Sequence, residues 1–165
     1  MGAGAIFLED SMEKQTLFSY LDKNAVIFTQ LSDDIWEHPE LSLREYGAME
    51  CYCAVLKQLG FAVETGIAGV PTAFSGTFGS GKPVIGFLGE YDALDSLSQE
   101  AGALERKACV PGGAGHGCGH NLLGAGALAA AAAVKDALSK LPDGSGTVVF
   151  YGCPGEEGGA GKAFM

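Results

Sequence analysis

A thiol and an imidazole lie two residues apart in Gly115-His116-Gly117-Cys118-Gly119-His120-Asn121, immediately ahead of an Ala-rich segment. A second string, Gly152-Cys153-Pro154-Gly155-Glu156-Glu157-Gly158-Gly159, sets adjacent carboxylates behind a β-like run. Sulfur, imidazole and carboxylate together suit zinc, manganese or a neighbouring transition metal. The glycines flanking Cys118 permit a tight backbone path, so that Cys118 and His120 can converge on one ion. Neighbouring glutamates can divide the work of a hydrolase, one holding metal and the other moving a proton. His116 is a weaker candidate, because alternate residues of an extended loop seldom all face one ion; a structural or supporting role is expected for it. Glu90-Tyr91-Asp92 ends another apolar run, and open α/β sheets place ligands at the ends of their strands. The expectation is a metal-dependent hydrolase whose strand-end acids meet the Cys-His pair in one crevice. The competing reading is a Gly-rich turn with incidental polar residues.

The elements that must position these groups follow from periodicity. Leu17, Leu21, Ala25, Phe28, Leu31 and Ile35 recur at helical spacing between Ser11 and Trp36, and His38-Pro39 ends that run. Ser42 and Glu45 form a Ser-x-x-Glu capping pattern opening a second helix, with Leu43, Tyr46, Met49, Cys53 and Leu56 as its stripe and Gly60 as its stop. Segments 61–65, 72–78 and 83–89 read as strands. Val84-Ile85-Gly86-Phe87-Leu88, apolar throughout, is expected to be a central strand covered on both faces. A long loop over 91–120, a helix over 121–141 and a strand around 147–151 complete the order, which implies an α/β sheet with helices packed on it.

Three further features have plainer readings. Gly76-Thr77-Phe78-Gly79-Ser80-Gly81-Lys82 imitates a phosphate loop, but Pro83 replaces the required Ser or Thr and a strand follows, so a hairpin turn is expected. Cys51 and Cys53 point to different sides of a helix and read as buried thiols. His38 ends a helix and is a minor candidate for lining a pocket.

The 165 residues suffice for one domain with a real core, and 47% hydrophobic content with 26 glycines fits a compact, turn-rich chain. A net charge of -10 argues against nucleic acid, which needs clustered Lys and Arg. Met1–Leu8 lacks a basic leader, and the Ala/Gly-rich 122–134 stretch does not read as a membrane span. Five cysteines without scaffold spacing suit reduced thiols. A soluble cytoplasmic protein without membrane or nucleic-acid partners is expected.

His38-Pro39-Glu40-Leu41-Ser42, Gly89-Glu90-Tyr91-Asp92-Ala93-Leu94, His116-Gly117-Cys118-Gly119-His120-Asn121 and Pro154-Gly155-Glu156-Glu157-Gly158-Gly159 together resemble the motifs of the M20 metallopeptidase family. The branch is that of its amidohydrolases, which includes hippurate and auxin-conjugate hydrolases. Gly69-Val70-Pro71-Thr72-Ala73-Phe74 and Gly81-Lys82-Pro83-Val84-Ile85-Gly86 bring it nearest to the group that uses aminobenzoyl-glutamate. The resemblance runs from about His38 to the last residue.

It implies a zinc-exopeptidase-like α/β fold of the phosphorylase/hydrolase type, a mixed sheet flanked by helices. Residues 1–165 would be the N-terminal part of the catalytic domain, incomplete in this chain, with the lid or dimerisation domain absent. It implies two divalent metal ions, zinc or manganese, in the complete enzyme. The reaction implied is hydrolysis of an amide in an N-acyl amino acid, an aminobenzoyl-glutamate-like compound or a dipeptide. Position by position, Cys118 would be the thiolate shared by the metals, His120 a ligand of one and Glu157 a ligand of the other. Glu156 would be the general base and Asp92 an acid orienting the site. Glu90 stands where more distant relatives carry a ligand His and is a possible ligand only. Family members are longer and carry further histidine ligands downstream, so this chain alone is expected to be inactive and the full-length protein to be a homo-oligomer. The alternative is a non-catalytic metal-binding or subunit-interaction module derived from such a hydrolase. No donor for a tetrahedral oxyanion is evident in the sequence.

Overall fold

The computed structural model describes residues 10–165, so the leader-free reading of Met1–Leu8 lies outside the described residues. Helix α1 (Asp10–Glu37) and α2 (Tyr46–Gln58) precede β1 (Ala62–Thr65), β2 (Phe74–Gly81) and β3 (Val84–Glu90). Helix α3 (His120–Leu138), β4 (Ser145–Cys153) and the single turn α4 (Glu156–Gly159) follow. The strands form one mixed sheet in the order β1-β2-β4-β3, antiparallel except for the β3–β4 pair. Helices α2 and α3 pack on the sheet, and α1 packs on both helices. The expected α/β architecture, a mixed sheet flanked by helices, is what forms.

The core is aromatic. Tyr52 from α2, Phe74 from β2, Tyr91 just beyond β3 and Phe150 from β4 lie with ring centroids 5.5–6.0 Å apart, in the tilted or offset geometries that aromatic quadrupoles favour. Phe28, Leu31 and Ile35 of α1 close the cluster from the outside, as the helical stripe predicts, although Ala25 is exposed. The buried face of α2 is Ala48, Tyr52, Cys53 and Leu56. It is rotated from the expected stripe, leaving Tyr46 exposed. Cys53 is buried and Cys51 half-buried. Helix α3 has the length and composition to cross a bilayer, contrary to the reading of 122–134, but its Leu128, Ala131 and Ala132 are spent on the core.

Three local expectations fail. Ser42 and Glu45 form no capping box: Ser42 Oγ donates to Asp92 Oδ2 (2.8 Å), and the Glu45 side chain does not cap the helix it precedes. Glu40 takes the task instead, its carboxylate accepting the Gly47 and Ala48 amides at 3.1 and 2.9 Å. Capping needs an acceptor within reach of the orphan amides, and a folded-back preceding segment supplies one as well as the N-cap does. Strand β3 is not a doubly covered central strand, since it ends the strand order and its outward Val84 and Leu88 are exposed. An all-apolar run cannot reveal which face is buried, because the period-2 signal is missing. Finally, Gly79–Lys82 is no β2–β3 hairpin, because β4 lies between those strands. Gly79 and Gly81, at φ 84° and 87°, let β2 pass directly against the Gly146 and Gly144 carbonyls, where a Cβ would collide.

Cys153, at the end of β4, is 2% exposed, and burial pushes its thiol up to about 11. The unfolded thiol ionises from about pH 9, so its contribution is intact below that pH and is lost as pH rises towards 11. The stability advantage of the parent over Cys153→Ala, from urea unfolding, should shrink by about 2 kcal/mol between pH 8 and pH 11. A constant difference would refute this.

Candidate functional site

Strands β3 and β4 run parallel and end together, with Glu90 and Cys153 as register partners. Each then releases its acids at the same edge, Glu90 and Asp92 from one and Glu156-Glu157 from the other. Helix α3 starts at that edge too, after Gly119 turns the chain at φ 74°. Gly155, at φ 64°, does the same for α4. The expected crevice therefore assembles from two strand ends and a helix start.

His120 is its centre. The ring is buried, with Nδ1 3.0 Å from both Asp92 Oδ1 and the Asp92 carbonyl. Both of those oxygens accept, so a ring proton belongs on Nδ1, and Nε2 is the ring atom turned towards the glutamates. Nε2 lies 3.2 Å from Glu90 Oε2 and 3.9 Å from both Glu156 Oε2 and Glu157 Oε1. Three carboxylates thus converge on Nε2, an arrangement that a positive charge there, a ring proton or a metal ion, would offset. Ligand atoms of Glu90, His120 and Glu156 all fall within 4.8 Å of one another. The donor set of imidazole nitrogen and carboxylate oxygens fits a divalent metal, with the Cys118 thiol hydrogen-bonded to Glu157.

Asp92 ties the site together. Its fully buried carboxylate accepts the His120 Nδ1–H through one oxygen, and the Ser42 hydroxyl (2.8 Å) and Glu157 amide (3.0 Å) through the other. Carboxylates behind a ligating imidazole fix its tautomer and aim.

The remaining residues divide. Cys118 is exposed, and a hydrogen bond with the Glu157 side chain holds its thiol above the ordinary value, with the nearby carboxylates adding to that shift. A bound cation would reverse this, since coordination deprotonates a thiol. His116 stands apart from the cluster. Its Nε2 donates to the Ile35 carbonyl (3.1 Å), its ring stacks on Trp36, and Nδ1 has no partner among the described residues. Burial holds its imidazole below the ordinary value. His38 and His116 line a cavity of about 610 Å³ together with Trp36, Cys109 and Val110, and none of the clustered acids lines it. Two participants escaped sequence reasoning. Lys162 donates to Glu90 Oε1, leaving the other oxygen to His120. The Glu45 carboxylate accepts the Gly155 amide at 2.7 Å. Burial pushes this carboxyl up, and its hydrogen-bond donors pull it partly back. Lys162 follows a Gly-rich turn without any pattern, whereas Glu45 is hidden by its apparent capping role.

Residues 86–165 match the profile of peptidase family M20/M25/M40. The chain is 53% identical over 138 residues to one of the subunits of the p-aminobenzoyl-glutamate hydrolase of Escherichia coli K12, covering 84% of this chain and 28% of that one. It is 32% identical over 158 residues to the human Xaa-Arg dipeptidase, covering 86% and 32%. This chain therefore spans about a third or less of the length of these relatives. Among crystal structures, a proposed aminohydrolase from methicillin-resistant Staphylococcus aureus superposes with TM-score 0.69 at 26% identity, covering 91% of this chain and 38% of that one. The Bacillus subtilis YXEP protein, described as a dinuclear metal-binding peptidase of the M20 family, shares the fold with TM-score 0.61 at 23% identity, covering 79% and 36%.

Asp92→Asn leaves one oxygen where two served, so an amide NH₂ must face either the His120 N–H or the Glu157 N–H. Affinity for Zn²⁺ or Mn²⁺, measured by calorimetry, should fall ~10–100-fold, with the fold retained. Parental affinity in the variant would show that Asp92 does not aim His120.

Proposed function

Because the chain belongs to peptidase family M20/M25/M40, we propose that it supplies catalytic residues of a metal-dependent amidohydrolase. Its substrates are N-acyl amino acids, aminobenzoyl-glutamate-like compounds or dipeptides, with the scissile amide next to a free carboxylate. The observation that carries this reading is the His120 imidazole, held by Asp92 through Nδ1 and faced at Nε2 by three glutamates. In this proposal Cys118, His120 and Glu157 hold divalent metal, zinc or manganese, and Glu90 is an additional ligand or a charge partner of Lys162. The chemistry such ions supply is polarisation of the amide carbonyl and acidification of water.

The chain's own residues do the rest. Glu156, exposed at the mouth of the cluster, takes the proton of the attacking water and returns it to the leaving amine. Asp92 keeps the His120 proton on Nδ1, so that Nε2 stays free to ligate. The relative named as a hydrolase subunit supports a protein that works in a complex, and we propose a homo-oligomer. The free cysteines fit a reducing, cytoplasmic setting.

Hydrolysis of an N-acyl glutamate by the full-length protein that carries this chain tests the reading. Chelation should abolish turnover and Zn²⁺ or Mn²⁺ should restore it. Glu156→Gln should lower kcat by about 10²–10⁴-fold with metal content unchanged. Chelator-resistant turnover would sink the assignment. Complex formation without turnover, indifferent to Glu156→Gln, would make the chain a binding module instead.

A further inference from the structure

The segment between α1 and α2 is stitched to the site along its length. The Ala93 amide donates to the Glu40 carbonyl at 2.8 Å, and Leu41 bridges Ala93. Leu43, in the left-handed region at φ 63°, lays its side chain on Gly155 and Gly159, where an added Cβ would approach within 2.8 Å. Between these contacts sits Glu45, 0% exposed. One of its oxygens accepts the Leu43 amide (2.8 Å) and the Gly155 amide (2.7 Å), and the other accepts the Thr72 hydroxyl (3.1 Å). Thr72 in turn accepts the Tyr91 hydroxyl through its carbonyl (2.8 Å).

A carboxylate at a helix start would ordinarily serve its own helix from the surface. Here Glu40 performs that service, and Glu45 is buried to reach an amide 110 residues away. Burying a carboxylate is costly unless it is fully hydrogen-bonded, and three donors surround this one. The amide it takes adjoins Glu156. On the far side, the Glu157 amide goes to Asp92. The two amides flanking Glu156 are thus each held by a separate buried carboxylate, while the Gly155 and Gly159 surfaces rest on Leu43.

We infer that Glu45 is a positioning residue that holds the turn carrying Glu156 and Glu157 in register with His120. This rests on the functional reading above. It adds that the approach of these acids is set from the α1–α2 segment, through the Gly155 amide.

What matters is reach and an acceptor oxygen, and two substitutions separate these from charge. Glu45→Gln keeps the length and one acceptor oxygen, and its NH₂ can donate to the Thr72 hydroxyl. Glu45→Asp keeps the charge but withdraws the oxygens by one methylene. Two readouts are needed: hydrogen exchange at the Gly155 and Glu157 amides of the metal-free protein, and Co²⁺ affinity with its thiolate and ligand-field absorption. Leu128→Ala, a core truncation two turns along α3, controls for general destabilisation.

Glu45→Asp should speed exchange at both amides and weaken Co²⁺ binding by about tenfold with an altered ligand-field spectrum, on the scale of supporting-residue effects at metal sites. Glu45→Gln should stay close to the parent in both readouts, and Leu128→Ala should lose stability without losing affinity. Unchanged exchange in Glu45→Asp, loss in Gln but not in Asp, or affinity that merely tracks stability across all three variants would each overturn the inference. A full-length protein carrying this chain that binds no Co²⁺ would overturn the metal-hydrolase reading instead, and the exchange data would still decide the role of Glu45.

Discussion

Parallel pairing of β3 with β4 is the constraint from which the rest of the site follows. Parallel neighbours end at the same edge, so Glu90 and Cys153 stand side by side and the segments beyond them leave together. A parallel pair also needs a crossover, and the crossover helix must return antiparallel to the strands. The start of α3 is thereby delivered to the edge where β3 ended. His120 is its first residue, and the acids from both strands meet it without any long side-chain excursion.

How closely α3 lies on the sheet decides whether that meeting occurs at hydrogen-bond distance. Gly124, one turn after His120 and on the same face, sits where a Cβ would collide with the Tyr52 hydroxyl and the Glu90 carbonyl. The alanines that follow continue the close approach into the core, where Ala131 and Ala132 are fully buried. Small residues along this face serve geometry more than hydrophobic burial. They bring the helix axis near enough for His120 to reach Asp92 and the strand-end glutamates. The aromatic cluster of Tyr52, Phe74, Tyr91 and Phe150 provides the bulk that the helix forgoes.

Much of this was legible in the sequence, for physical reasons that also mark where legibility stops. The α1 stripe and the strand positions come from periodicity, a local property. The grouping of His120, Asp92, Glu90, Glu156 and Glu157 was recoverable because the acids lie in glycine-punctuated strings at the ends of apolar runs and His120 in one at the start of the Ala-rich helix. The failures concern partners distant in sequence. Ser42 and Glu45 match a local capping pattern, yet both bond across the fold, to Asp92 and Gly155. Val84–Leu88 is apolar on both faces, so nothing in the run distinguishes an edge strand from a central one. Lys162 finds Glu90 through a turn whose path depends on left-handed Ala160, at φ 48°, a position usually signalled by glycine. Ser42 and Glu45 are local patterns overridden by non-local partners, whereas Val84–Leu88 and Lys162 carry no local signal of their neighbours.

The insertion of the last strand between β2 and β3 also sets an order of events. As the chain is synthesised, β3 is complete long before residues 145–153 exist, and among the described residues the sheet offers it no neighbour until β4 arrives. The β1–β2 pair can form early, because its strands are close in sequence. Every contact that joins β3 to the sheet waits for a segment more than fifty residues later, a wait that loop-closure entropy makes slow. Glu156 and Glu157 follow β4 directly, so the acid cluster is completed by the same step that closes the sheet. A nascent chain lacking β4 would present both an open strand edge and a histidine faced by Glu90 but not yet by Glu156 and Glu157, making the emergence of β4 the moment at which sheet and acid cluster are completed together.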